Sequence, residues 1–100
     1  MTDLNEMWAE LAKYQPYADK HGFGAEWRRM CEERTESAAW AARAAARVAW
    51  DAAWDAAAFA AAMAAAEAAE AACLAFAEKA AEWKKYAITY IHKAIEKEQT

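Results

Sequence analysis

After Gly24 the sequence contains neither glycine nor proline, so residues 25–100 lack the two residues that most readily end a helix. One residue in three is alanine, 33 of 100, and alanine is the strongest helix former. Strands draw on Val, Ile and Thr, yet there are only one Val, three Ile and four Thr. A β-rich fold is excluded and an all-α fold is predicted, as a single domain over residues 1–100. Drawn out as one rod, residues 25–98 would span on the order of 110 Å at 1.5 Å per residue, and a rod cannot bury its own aromatic rings. The expectation is therefore one long or once-broken alanine-rich helical region over residues 25–100, packing as a hairpin or as an oligomeric helical bundle. Thr35-Glu36-Ser37 is the place where a cap would break it.

Residues 1–24 read as a short N-terminal helix followed by a Pro/Gly loop. Leu4, Met7, Trp8, Leu11 and Tyr14 repeat at three and four, Thr2 or Asp3 can cap, and Asp3 and Glu6 have capping-box spacing. This helix should end near Tyr14, because Pro16 disfavours helical backbone just before it. The sole proline and both glycines lie within residues 15–24. There Pro16 would open a short turn that Gly22 closes.

At about 100° per residue, Trp40, Arg43, Arg47, Trp50 and Trp54 fall in one arc of about 80°. An unbroken helix would return Phe76, Lys79, Trp83, Tyr86 and Tyr90 to the same arc. Val48, Phe59, Met63, Cys73, Leu74, Ile88, Ile91 and Ile95 gather roughly opposite. Two apolar stripes predict a helix with neighbours on both sides, whose alanines allow approach at the short end of about 8 to 10 Å. Phe59, Met63 and Glu67 step by four, a drift of about 40° per step, and are expected to spiral around the helix.

The net charge of −4 argues against nucleic acid as a partner, since phosphate binding needs surplus Lys and Arg. Residues 1–34 carry 5 basic and 7 acidic side chains, residues 35–78 carry 2 and 6, and residues 79–100 carry 5 and 3. The acidic middle and basic end could pair head to tail. Cys31 and Cys73 show neither metal-ligand nor disulfide spacing, so a reduced, cytoplasmic setting is expected, with no metal and no cofactor. The N-terminus does not read as a secretory signal. Residues 56–75 are apolar mainly through alanine and carry Glu67 and Glu70, costly at a bilayer centre, so no membrane span is expected.

No catalytic constellation stands out, and the chain is expected not to be an enzyme: His21 and His92 are far apart and no glycine-rich phosphate loop is present. Asp51, Asp55, Glu67 and Glu70 read as a solvated face with Arg47 as a neighbour. Two groups remain as candidate binding sites. The Trp40, Arg43, Arg47, Trp50, Trp54 face pairs rings that stack on flat ligands with guanidinium groups that fork onto anions; equally, each Arg can lie along a Trp as plain packing. Around the loop, Tyr14, Tyr17, Lys20, His21, Trp27 and Arg28 could meet a partner, or could simply fold the first helix back.

The run Tyr14-Gln15-Pro16-Tyr17-Ala18-Asp19, then Gly22 and Gly24, then Trp27-Arg28-Arg29-Met30-Cys31-Glu32-Glu33-Arg34-Thr35 leads into alanine blocks such as WDAAWDAA at residues 50–57. In this order the motifs resemble small, uncharacterised alanine-rich proteins of tailed bacteriophages. The resemblance spans residues 8–55 in motif and the remainder in composition. It implies a phage origin and action in the host cytoplasm, and it carries no catalytic residue across. The expected function is a non-enzymatic homo-oligomeric binding protein that blocks or sequesters a host factor, such as a defence protein. The alternatives are a sponge for a small anionic ligand or nucleotide on the Trp/Arg face, and a structural or assembly component of a virion.

Overall fold

The computed structural model describes residues 3–77 and 79–99, which are all-helical with no strand among them. Six helices follow in order: α1 (Asn5–Ala12), α2 (Gln15–Lys20), α3 (Gly24–Glu33), α4 (Glu36–Asp51), α5 (Ala56–Leu74) and α6 (Ala80–Glu98). The region expected as one long or once-broken helix is thus four helices with three breaks.

Each break has a local cause that needs no glycine. At the first, Arg34 adopts the left-handed conformation, φ 54°, and its amide donates to the Met30 carbonyl at 2.9 Å. Its guanidinium reaches Asn5 of α1 at 3.0 Å, a contact that offsets the cost of left-handed backbone in a residue with a Cβ. Thr35 then caps α4 by accepting from the Ala38 amide at 3.2 Å. At the second, Asp55 caps α5 by accepting from the Ala58 amide at 2.8 Å; this cap, worth about 1 kcal/mol, was hidden in the WDAAWDAA block. At the third, the amides of Ala75, Phe76 and Ala77 each donate three residues back, to Ala72, Cys73 and Leu74, and tighten the last turn of α5.

The N-terminal segment also differs from expectation. α1 ends at Ala12, and its N-terminal Asn5 amide donates to Asp3 Oδ1 at 2.9 Å; Thr2, the other candidate cap, lies outside the described residues. Residues 15–20, expected as a loop with one short turn that Pro16 opens and Gly22 closes, form the helix α2, with Pro16 in its first turn where its missing N–H costs nothing. Gly22 has φ +89°, and a Cβ at Gly24 would stand 1.8 Å from Asp19 Oδ1 and 2.9 Å from the Asp19 Cα. Both glycines are therefore required: one for backbone conformation, the other for close approach.

α4, α5 and α6 lie side by side as a layer with α5 in the middle, while α3 packs beside α4, α1 beside α6, and α1 against α3. The whole measures 41 × 22 × 18 Å. The core divides its labour between the two layers. Met7, Leu11, Tyr14, Phe23, Trp27 and Met30, all from α1–α3 and their connections, are among the largest fully buried side chains. They fill against alanine faces of α4, α5 and α6 in one continuous cluster.

α5 shows why alanine is needed. Ala61, Ala62, Ala64, Ala65, Ala66, Ala68, Ala69, Ala71 and Ala72 are all buried, because neighbours close on it from both sides. By length and composition it is a helix that could cross a membrane; here α4 and α6 cover its flanks. After Ala60 only Met63, Glu67, Glu70 and Leu74 are less than buried. The expected spiral does not occur, because the three-residue step from Glu67 to Glu70 resets the drift. Relative to Phe59, the others stand at about 40°, 80°, 20° and 60°, which is one outward stripe.

Candidate functional site

One face of the α4–α5–α6 layer is covered by α1–α3, and the other is open. None of the eight aromatic side chains after Thr35 is buried, whereas Trp8, Tyr14, Phe23 and Trp27 before it all are. Six of the eight line the open face in two rows, while Phe76 packs against Trp8 of α1 with ring centroids 6.3 Å apart. On α4, the Arg43 guanidinium lies over the Trp40 ring at 5.2 Å and that of Arg47 over Trp50 at 5.6 Å, while Trp50 meets Phe59 of α5 edge-on at 5.4 Å. On α6, Trp83 packs edge-on against Tyr86 at 5.4 Å, Tyr86 lies 6.5 Å from Tyr90, and Lys93 sits over the Tyr90 ring at 5.6 Å. Between these rows runs the α5 stripe with its two carboxylates, Glu67 and Glu70.

Two shallow grooves of about 210 and about 220 Å³ flank that stripe. The first is lined by Arg43, Arg47, Trp50, Ala66, Glu67 and Glu70. The second is lined by Glu67, Glu70, Ala71, Leu74, Trp83 and Tyr90. Arg43 pairs with Glu70 across the first groove at 3.7 Å, so positive charge on this face is already partly answered by negative. That balance weakens the groove as a seat for an anion, because two carboxylates stand where phosphate oxygens would have to go.

Of the five residues expected on one ligand-binding face, Trp40, Arg43, Arg47 and Trp50 share one side of α4. Trp54 does not: it lies in the connection between α4 and α5, 98% exposed, and shares no helical face with the others. Val48 is 69% exposed and Phe59 42%, so further apolar side chains stand open to solvent elsewhere on α4 and α5. Trp83, Tyr86 and Tyr90 reach the same face as the α4 aromatics by chain reversal, not by the continuous helix that the angular arithmetic assumed.

The loop group divides differently. Tyr14 and Trp27 have no exposed surface and follow the second alternative, packing in the core, where Trp27 Nε1 donates to the Leu11 carbonyl at 2.8 Å. Tyr17 is half-buried against Tyr14, and Arg28 is exposed, 4.0 Å from Asp19. Lys20 and His21 turn toward α6, where they face the Glu98 carboxylate together with the Tyr14 hydroxyl, which donates to it at 3.1 Å. Burial, with the Glu98 charge beside it, pushes the Tyr14 phenol well up from its ordinary value. The second histidine, His92 of α6, pairs with Glu10 of α1 at 2.8 Å. These contacts join residues about 80 apart in sequence and tie α6 to the N-terminal segment; no local spacing announces them.

Burial pushes the Cys73 thiol up to about 12 and the Cys31 thiol up to about 11, so both stay protonated and weakly nucleophilic at neutral pH. Among the described residues no three His, Cys, Asp or Glu side chains gather as metal ligands. No family model, curated protein or solved structure matches the chain.

Proposed function

We propose that this chain is a non-enzymatic helical binding protein that assembles into a homo-oligomer and blocks or sequesters a host factor. The observation that carries the reading is the placement of the aromatic rings: four of the five before Thr35 build the core, and all eight after it are left half-buried or exposed. Trp and Tyr are the side chains that contribute most to protein interfaces, and leaving Trp54 wholly in water is costly in solubility without a contact to gain. The exposed Trp54, with Val48 also open to solvent, supplies the contact between copies. The resemblance to alanine-rich proteins of tailed bacteriophages supports a phage origin and a host target in the cytoplasm, such as a defence protein.

Sedimentation velocity tests the oligomer directly. The wild type should sediment as a multiple of 11.1 kDa, and a Val48→Ser, Trp54→Ser variant as the folded single chain. A wild type that stays monomeric at every concentration up to the millimolar range overturns the self-association. The sponge reading is weaker on this geometry, because Arg43 is already engaged by Glu70.

A further inference from the structure

We infer that the groove between α5 and α6 is a docking site for an arginine or lysine side chain presented by a partner protein. The inference rests on the binding-protein reading and names the chemistry of the partner. The groove is lined by Trp83, Tyr90, Ala71, Leu74, Glu67 and Glu70; no Lys or Arg lines it, and Lys93 sits over the Tyr90 ring at its side. Glu70 is shared with Arg43. Glu67, half-buried, makes no hydrogen bond or ion pair with any described residue. A half-buried carboxylate beside aromatic walls has lost part of its hydration without gaining a partner, and a cation restores the balance while the ring faces attract it.

The same face already shows this preference three times over, with Arg43 on Trp40, Arg47 on Trp50 and Lys93 on Tyr90. Size selects the occupant. About 220 Å³ lies below the roughly 300 to 1,000 Å³ of pockets that enclose whole small molecules, but it admits one guanidinium or ammonium group entering from a neighbouring chain. Charge disfavours two other occupants. A phosphate would meet Glu67 and Glu70. A second copy applied to this face by a two-fold axis would set the same central carboxylates against each other, since such an interface pairs a patch with itself.

The test is a titration of the full-length protein, followed by amide and indole NMR, with an alanine-based helical peptide carrying two Arg four residues apart. The peptide should shift the Trp83 indole and the Glu67, Ala71 and Tyr90 amides, and should bind more weakly as salt rises. Glu67→Gln should weaken it about tenfold or more, the scale of a lost charged hydrogen bond, with the amide spectrum otherwise intact. Arg43→Ala should tighten it severalfold by releasing Glu70, a gain that an apolar groove would not show. Equal binding of a peptide with Glu in place of Arg, or an unchanged affinity in Glu67→Gln, would each overturn the inference. The outcomes separate from self-association: a monomer that binds the Arg peptide keeps the docking site and loses the oligomer, whereas an oligomer that ignores the peptide does the reverse.

Discussion

The two layers of this protein use opposite solutions to the same problem. α1–α3 hold four of the 33 alanines and bury Trp8, Trp27, Tyr14 and Phe23; α4–α6 bury alanine and hold their rings outside. A helix can either bring bulk to a core or allow close approach, because a side chain that fills space also keeps backbones apart. Here one layer supplies the bulk and the other the smooth surface, so a single copy closes its core. What it leaves over is the aromatic face.

Trp27→Ala is expected to break the bulky side most severely, costing about 3 to 5 kcal/mol and leaving the Leu11 carbonyl without its indole donor. That is a large share of a small domain's stability, and urea unfolding followed by circular dichroism measures it. The smooth side should fail in the opposite way. Ala65 is fully buried in the middle of α5, so Ala65→Leu overpacks it at a cost of about 1 to 3 kcal/mol, again read from the urea midpoint, whereas the same substitution on an exposed helix face is close to neutral.

Titration sharpens the comparison further, because each layer holds one raised thiol, Cys31 in α3 and Cys73 in α5. The folded chain keeps these protons to about pH 11 and about pH 12, while the unfolded chain releases them near the ordinary thiol value of about 8.5. Above that value the unfolded state binds fewer protons, so stability falls as pH rises. Unfolding midpoints under reducing conditions should drop between pH 8 and pH 10, and Cys73→Ala should flatten that drop. The smallest effect belongs to the other extreme of exposure: Trp54→Ala should change stability by no more than about 0.5 kcal/mol, although the mass in solution should fall. A loss of several kcal/mol there would erase the distinction between the layers.

How much of this was legible in the sequence depended on whether the cause was local. Helix content followed from alanine, the Thr35 cap from its neighbours, and the Pro16 start and Gly22 stop of α2 from backbone chemistry. Asp55 was equally local but was obscured by the alternation of Trp and Asp in a run that also fits a continuous helix. The common arc of Phe59, Met63 and Leu74 was legible from helical period alone; that Glu67 and Glu70 join it depends on the three-residue step between them. The assignment of the rings was legible only as one of two alternatives, the loop residues meeting a partner or folding the first helix back. Trp27 and Trp50 look alike in sequence, and only the arrangement of α1–α3 over one face of α4–α6 decides that the first is core and the second is surface. For the same reason Tyr14, read as a residue that either meets a partner or folds the first helix back, became a core residue tied to Glu98.

The most direct test of the division between layers is fluorine NMR of protein labelled with 5-fluorotryptophan, comparing resonance positions in H2O and D2O at low concentration. The account predicts no solvent isotope shift for Trp8 and Trp27, the full shift for Trp54, and intermediate values for Trp40, Trp50 and Trp83. A solvent-exposed Trp27 or a protected Trp54 in the dilute single chain would contradict it.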